Sequence, residues 1–190
     1  MLPPRPKPPP AGHAPTSHPP SLAGEVLLGD LRAAGFSLVD DPADADAVVV
    51  NTCAFVEDAK SESLEAVMEA ASARASGAGP ARVVVTGCLA QRYGADLAAA
   101  LPEADLVVGF EHYGSLPAAL AASLDGKPLP ALDGEVAASG ASSRVRVGGA
   151  TVPFRPEGRR ARLTPPHTAY LRVAEGCSHA CTFCAIPGFR

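Results

Sequence analysis

Three of the five cysteines lie within one short stretch near the end of the 190-residue chain, EGCSHACTFC at residues 175–184. Cys177, Cys181 and Cys184 have the spacing C-x3-C-x2-C. Three soft thiolates on one loop can hold three irons of an iron–sulfur cube and leave the remaining iron open to a small chelating molecule. Phe183 precedes the last of these cysteines, where we expect it to shield the cluster or its ligand from water. The spacing therefore favours a [4Fe–4S] cluster on this loop.

A zinc site is the main alternative for the same loop. Zinc in proteins usually has four ligands, and His179 is the only further ligand type close to Cys177, Cys181 and Cys184. The spacing Cys-x-His-x-Cys is awkward for tetrahedral closure, because neighbouring ligands need turns between them to converge. Cysteines without any metal are the remaining alternative.

The other two cysteines each follow a short β-branched run, Cys53 in VVVNTC and Cys88 in VVVTGC. The carboxyl ends of parallel strands share one edge of the sheet, where ligands bind, so these two thiols can meet in space. Gly87 allows close approach of the backbone, and Asn51 and Thr52 can supply hydrogen bonds in the turn. The pair is either part of a metal site or two buried cysteines that act as small hydrophobic side chains.

Strands and helices alternate in the region that carries Cys53 and Cys88. The runs AVVVN, RVVVTG and DLVVG predict buried parallel strands at residues 47–51, 82–87 and 105–109. Apolar spacing and stop signals predict helices over residues 21–34, 55–75, 91–101 and 115–124. Such a series of βαβ units implies right-handed crossovers, and the predicted fold class is an α/β domain with a doubly wound parallel sheet.

A further strand is predicted for YLRVAEG, residues 170–176, directly before the cysteine loop. The chemistry of (β/α) barrels lies at the carboxyl ends of their strands. The cysteine loop would occupy such a position, so we expect residues 163–190 to be the start of a second domain of this class. We also expect this segment to be less well packed than residues 22–125.

Composition divides the rest of the chain into distinct segments. Residues 1–20 hold nine prolines and are expected to be disordered, without a helix or an interior strand. Residues 21–126 are the predicted α/β domain, and residues 22–140 hold 18 acidic and 6 basic residues. Residues 127–162 are predicted to be a basic linker. Its arginines are interpreted as solvated or as contacts for an acidic or RNA-rich partner.

Several classes of protein are disfavoured by the same composition. The net charge of −4 does not indicate a nucleic-acid binder, and no apolar run is long enough to span a membrane. The N-terminal MLPPRPKPPP lacks the apolar region of a secretory signal. Five clustered cysteines are an odd number, which argues against a disulfide scaffold and for a reducing compartment such as the cytoplasm.

The cysteine motifs and the phrases around them together resemble one enzyme family. The C-x3-C-x2-C loop is similar to that of the radical S-adenosylmethionine superfamily. VVVNTCAFVEDAKSES, VVVTGCLAQRYG and LTPPHTAYLRVAEGCSHACTFCAIPGFR resemble the methylthiotransferases within it. The closer resemblance is to the type that adds a methylthio group to an aspartate of a small-subunit ribosomal protein, number twelve. It covers residues 16–125 and 160–190.

The resemblance implies two [4Fe–4S] clusters and S-adenosylmethionine as cofactors, the ribosomal protein as substrate and an electron donor as partner. Cys177, Cys181 and Cys184 match the ligands of the cluster that binds S-adenosylmethionine. One electron then yields a 5′-deoxyadenosyl radical, which can attack a C–H bond that no general base can deprotonate. Cys53 and Cys88 match two of the three ligands of an auxiliary cluster that supplies or carries sulfur. A second S-adenosylmethionine supplies the methyl group.

The chain departs from the family pattern at two places. The first auxiliary cysteine of the family, in a phrase like S-L-G-C-P-K-N, falls 36 positions before Cys53, where this chain has Ser17. A serine oxygen is a hard donor and a poor substitute for a thiolate, which puts the auxiliary cluster in question. The chain also ends six residues after Cys184, so we expect an N-terminal fragment that is inactive alone.

Three other functions are compatible with these motifs. A tRNA-adenosine methylthiotransferase of the same superfamily would use the same chemistry on another substrate. A non-catalytic metal-binding module would bind metal without turnover. A flavodoxin-like domain would have no metal site at all.

Overall fold

The computed structural model describes residues 10–12, 22–130, 144–149, 159–169, 171, 173–174 and 176–188. The described residues contain a parallel sheet with the order β2-β1-β3-β4-β5-β6. Its strands are β1 Pro10–Gly12, β2 Ser37–Val39, β3 Ala47–Thr52, β4 Arg82–Gly87, β5 Leu106–Val108 and β6 Val145–Arg146. The helices are α1 Leu22–Ala33, α2 Glu57–Ala75, α3 Cys88–Ala100 and α4 Leu116–Leu124. This strand order is that of doubly wound, flavodoxin-like sheets, so the predicted fold class is confirmed.

Both faces of the sheet are covered by helices, and alternate residues of each strand point to opposite faces. One apolar cluster joins Ala47 and Val49 of β3 to residues of α1 and α4, including Leu27 and Leu120. The other cluster contains Val48 and Val50 of β3, with residues of α2 and α3. Because neither face is open to water, the central strands are apolar runs without alternation, as the sequence indicates.

The N-terminal proline-rich segment contributes an interior strand, which corrects the prediction of no regular structure in residues 1–20. β1 lies between β2 and β3, with Pro10 opposite Ser37 and Ala11 opposite Ala47. Proline is tolerated here because Pro10 is the first residue of the strand, where its missing N–H removes no ladder bond from the middle. The other residues of the segment lie outside those described.

The predicted linker at residues 127–162 also contributes to the sheet. β6 pairs with β5 through Val107 opposite Val145 and Val108 opposite Arg146. Arg146 is buried and donates to the carbonyl oxygen of Pro130 at 2.5 Å. The interpretation of this segment as a solvated linker is therefore wrong for its β6 residues.

Arg144, just before β6, binds the end of α3. Its guanidinium donates to the carbonyl oxygen of Ala104 at 2.7 Å, to that of Pro102 at 3.3 Å, and to that of Ala98. The last carbonyl groups of a helix have no partner within the helix, and a cation there also opposes the negative end of the helix dipole. Arg144 is thus a capping residue of α3 and is not free to serve as a solvated linker charge.

The segment before the cysteine loop differs from its prediction. Residues 171, 173–174 and 176 are described, and none of them is in a strand. Leu171 is 85% exposed and Val173 is 89% exposed, so no neighbouring layer covers these two side chains. The prediction of a strand at residues 170–176 is therefore wrong for residues 171, 173–174 and 176, the ones that the structure describes there. The expectation of poorer packing in residues 163–190 agrees with the exposure of the described residues.

Candidate functional site

Cys53 and Cys88 lie side by side at the carboxyl edge of the sheet. β3 and β4 pair in register from Ala47 opposite Arg82 to Thr52 opposite Gly87. Each cysteine is the residue directly after one of these last partners. Adjacent strands are about 4.8 Å apart, so the two cysteines start from neighbouring backbone positions. The prediction that they share one edge of one parallel sheet is confirmed.

Hydrogen bonds fix the turn at each cysteine. The Cys53 N–H donates to Ser63 Oγ at 3.1 Å, and Ser63 Oγ donates to the carbonyl oxygen of Ala59 in α2 at 2.7 Å. Thr52 Oγ1 donates to the carbonyl oxygen of Thr86 at 2.5 Å and accepts from the Leu89 N–H at 3.2 Å. Thr52 thus connects the end of β3 to the end of β4 and to the first turn of α3, as its predicted turn role requires.

Gly87 has a backbone conformation that only glycine adopts readily. Its φ is 94° and its ψ is −158°. A Cβ atom at this position would lie 2.4 Å from the Thr52 carbonyl oxygen and 2.6 Å from the Thr52 nitrogen. The predicted close approach at Gly87 is therefore confirmed, and it lets α3 begin at Cys88, three residues before the predicted start of this helix.

Two residues of α3 that were not predicted from the sequence form hydrogen bonds to the backbone near the sheet edge that carries Cys53 and Cys88. Arg92, four positions after Cys88 and so on the same helix face, donates to the Ala54 carbonyl oxygen at 3.3 Å. Gln91 accepts from the Phe110 N–H at 2.9 Å and donates to the Gly148 carbonyl oxygen at 3.1 Å. The only sequence signal for either role is the position of the pair within GCLAQRYG.

The cysteine loop is largely open to solvent. Cys177 and Cys181 are exposed, and Cys184 is half-buried. The Cys184 N–H donates to the Cys181 carbonyl oxygen at 3.1 Å, which forms a turn between the second and third thiols. Phe183 is 91% exposed beside these thiols. His179 Nδ1 lies 3.6 Å from Cys177 Sγ.

The donor chemistry of the loop fits an iron–sulfur cluster, although its side chains are not gathered around one point. Among the described residues, no three His, Cys, Asp or Glu side chains converge enough to hold a metal ion. None of the five cysteines forms a disulfide, so all five sulfurs remain chemically able to act as ligands. Three thiolates on one short exposed loop can close around iron with only a local ordering of the chain.

The sequence of this chain is similar to that of known methylthiotransferases. Residues 22–109 match the family described as uncharacterized protein family UPF0004. The chain is 46% identical over 189 residues to ribosomal protein uS12 methylthiotransferase RimO of Frankia alni, and 39% identical over 186 residues to that of Cutibacterium acnes. The chain is thus similar in sequence to uS12 methylthiotransferases over most of its own length. The resemblance expected from the cysteine motifs is thereby confirmed.

The alignments have the same extent on this chain in each case. They cover 87% of this chain, but 34% of the Frankia alni protein and 38% of the Cutibacterium acnes protein. A relative from Anaeromyxobacter sp. (strain K) is 42% identical over 166 residues, with 32% of its length covered. The chain thus spans about a third of the length of these relatives. None of the described helices is both long and apolar enough to cross a membrane.

Proposed function

We propose that this chain supplies the α/β domain and the S-adenosylmethionine cluster loop of a radical methylthiotransferase acting on ribosomal protein uS12. The observation that carries the proposal is the combination of 46% identity to a uS12 methylthiotransferase with Cys53 and Cys88 at one sheet edge. The bounds expected from the sequence for the α/β domain, residues 21–126, leave out β1 and β6, which belong to the same sheet, so the proposed domain extends over residues 10–146. Residues 163–190 are the proposed start of the radical domain. An electron donor and the cytoplasm are the proposed partner and location.

Cys177, Cys181 and Cys184 are the proposed ligands of a [4Fe–4S] cluster. When bound, that cluster supplies the electron that cleaves S-adenosylmethionine. This chain contributes three thiolates on a loop that is largely open to solvent. Both the cluster and S-adenosylmethionine can therefore reach it. Phe183, an exposed side chain next to the third thiol, is proposed to cover the bound cofactor.

Cys53 and Cys88 are the proposed ligands of the auxiliary [4Fe–4S] cluster, and Ser17 is proposed for the position of the third ligand. The strand register supports this alignment. Ala11 lies opposite Ala47 and Gly12 lies opposite Val48, an offset of 36 residues between β1 and β3. The same offset relates Ser17 to Cys53, although Ser17 itself lies outside the described residues.

Anaerobic reconstitution with iron and sulfide tests the ligand assignments. We expect about one cluster per chain, because only the loop offers three thiolates. Cys181→Ala should abolish iron binding, whereas the matched variant Cys53→Ala should leave it nearly unchanged. Ser17→Cys should raise the iron and sulfide content towards two clusters. Two clusters in the unaltered chain, or preferential binding of zinc, would contradict these assignments.

The substrate is tested separately in a chimera. The part of the Frankia alni relative that aligns with this chain is replaced by this chain with Ser17→Cys, and the chimera is expressed in cells that lack their own uS12 methylthiotransferase. Mass spectrometry of uS12 and of tRNA should then show a methylthio group on uS12 alone. A methylthio group on tRNA would favour the tRNA-modifying alternative, and the unaltered chain alone is expected to modify neither substrate.

A further inference from the structure

A short segment that precedes the cysteine loop lies directly on α1. We refer to residues 159–164 as the docking segment. A Cβ atom on Gly29 of α1 would lie 2.0 Å from the Arg159 carbonyl oxygen and 2.7 Å from the Arg160 nitrogen. Ala161 is buried, and its N–H donates to the carbonyl oxygen of Glu25 at 2.8 Å. The absence of a side chain at Gly29 therefore allows backbone-to-backbone contact between α1 and this segment.

The side chain of Glu25 holds the docking segment through a buried carboxylate. Glu25 has no exposed surface. Its Oε1 accepts from the Leu163 N–H at 2.9 Å and from the Thr164 N–H at 3.3 Å, and its Oε2 pairs with the Arg160 guanidinium. A buried carboxylate is strongly unfavourable unless it is paired and hydrogen-bonded, and these partners all belong to the docking segment. Glu25 and the segment therefore depend on each other.

The neighbouring charge and the hydrogen bonds of Glu25 both lower the pKa of its carboxyl group. Burial by itself favours the neutral carboxyl, but the Leu163 N–H and the Arg160 guanidinium outweigh it and hold the pKa of Glu25 below its ordinary value. Glu25 is thus ionised when it contacts the docking segment, and its negative charge pairs with the positive charge of Arg160.

The chain on the other side of the cysteine loop also contacts the α1 face of the sheet. Ala185 and Ile186 pack against the apolar cluster that contains Leu27 and Leu31 of α1. The stretch that carries the three cysteines is therefore attached at both ends to the same face of the α/β domain.

We propose that Glu25 is a positioning residue that docks residues 159–164 on α1 and so fixes the cysteine loop relative to the sheet edge with Cys53 and Cys88. The role assigned to the loop rests on the proposed function, whereas the docking itself does not. Reacting groups on separate parts of a chain need a fixed mutual position, since small misplacements slow a reaction strongly. Glu25, which lies in α1 of the α/β domain, fixes this mutual position by binding the docking segment.

Hydrogen exchange on the metal-free, full-length chain tests the docking. Glu25→Gln removes the charge, and Gly29→Ala places a methyl group against the Arg159 carbonyl oxygen. In both variants, the amides of Ala161, Leu163 and Thr164 should exchange about tenfold faster or more. Glu57→Gln, which removes an exposed glutamate from the first turn of α2, is the matched control and should change none of these rates.

Gly29→Ala separates docking from folding. Alanine is a better helix former than glycine, so α1 should become more protected while the docking segment loses protection. The amides of β3 and β4 should exchange at unchanged rates in both docking variants. Equal acceleration throughout the sheet would make Glu25 a general folding residue and overturn the proposal, as would unchanged exchange at Leu163 and Thr164.

Thiol reactivity supplies the readout at the loop. In the unaltered chain, half-buried Cys184 should react with iodoacetamide more slowly than exposed Cys177. Glu25→Gln and Gly29→Ala should bring the rate of Cys184 close to that of Cys177 and leave that of Cys53 unchanged. An unchanged Cys184 rate would overturn the positioning role. Because no metal is present, failure of iron binding would count against the proposed function without affecting this result.

Discussion

Replacing Gly87 by alanine tests whether the turn between β4 and Cys88 is held by the close contact described above. Gly87 has φ 94° and ψ −158°, a region that is essentially restricted to glycine. Forcing a residue with a Cβ atom into such a conformation costs about 1–3 kcal/mol. The new Cβ would also lie 2.4 Å from the Thr52 carbonyl oxygen, which belongs to the backbone of β3 and cannot turn away. Overpacking of this kind costs a further 1–3 kcal/mol, roughly.

A second glycine isolates the contact from the backbone conformation. Gly77 also has a positive φ, 76°, but a Cβ atom there would meet no atom within 4 Å. Gly77→Ala should therefore lower the free energy of unfolding by only about 1–2 kcal/mol, through the left-handed conformation alone. Gly87→Ala should lower it by about 4 kcal/mol, which is a large part of the 5–15 kcal/mol typical of a domain.

Urea unfolding followed by far-ultraviolet circular dichroism measures both variants, since the chain contains no tryptophan. With a slope of about 2 kcal/mol per molar urea, the two midpoints should differ by about 1–1.5 M. If both variants lower the midpoint equally, the contact with Thr52 contributes nothing. In that case, the close contact between the ends of β3 and β4 would not explain why residue 87 is a glycine.

Two further changes probe the charged groups that the structure places in the domain. Asp105 Oδ2 accepts from Arg74 Nη1 at 2.5 Å and from the Val83 N–H at 2.8 Å, so Asp105→Asn should lower the free energy of unfolding by about 1–3 kcal/mol. The matched variant Asp125→Asn, at an exposed pair with a lysine, should change it by less than about 1 kcal/mol in the same urea experiment. Glu25 has its pKa lowered from 4.5, so its stabilising contribution should be complete above that pH and decline as the pH falls through its pKa in the folded chain. Urea midpoints measured against pH should show a steeper acid loss in the unaltered chain than in Glu25→Gln, and parallel curves would contradict this linkage.

The central part of the fold could be predicted because its signals are local. The β-branched runs that become β3, β4 and β5 are apolar on both faces, and helices separate them. β1 and β6 carry no such signal. They have three and two residues, and what makes them strands is pairing with β3 and β5 across long stretches of chain. The prolines around β1 predicted disorder, and the arginines around β6 predicted a solvated linker. Both predictions failed for these strands because composition does not show which distant strand a segment pairs with.

In the candidate site, too, the features set by local sequence could be predicted and those set by distant contacts could not. The shared edge of Cys53 and Cys88 follows from the strand ends alone, since all strands of the predicted sheet are parallel. The roles of Arg92 and Glu25 do not follow from any pattern. Glu25 meets the Arg160 guanidinium across 135 residues, and nothing in the sequence around either residue identifies the other. Such contacts become visible only when the docking segment is placed on α1.

The two cysteine groups should also respond differently to metal, because different parts of the fold order them. The backbone at Cys53 and Cys88 is fixed by the register of β3 and β4 and by the Thr52 hydrogen bonds, none of which involves iron. The loop of Cys177, Cys181 and Cys184 has few such contacts, so a bound cluster would order it directly. Reconstitution followed by removal of iron should therefore raise and then lower the hydrogen-exchange protection of residues 176–188. The protection of β3 and β4 should stay constant throughout. Loss of protection in β3 and β4 on iron removal would mean that the sheet edge depends on metal, and the separation of a preformed edge from a metal-ordered loop would then be wrong.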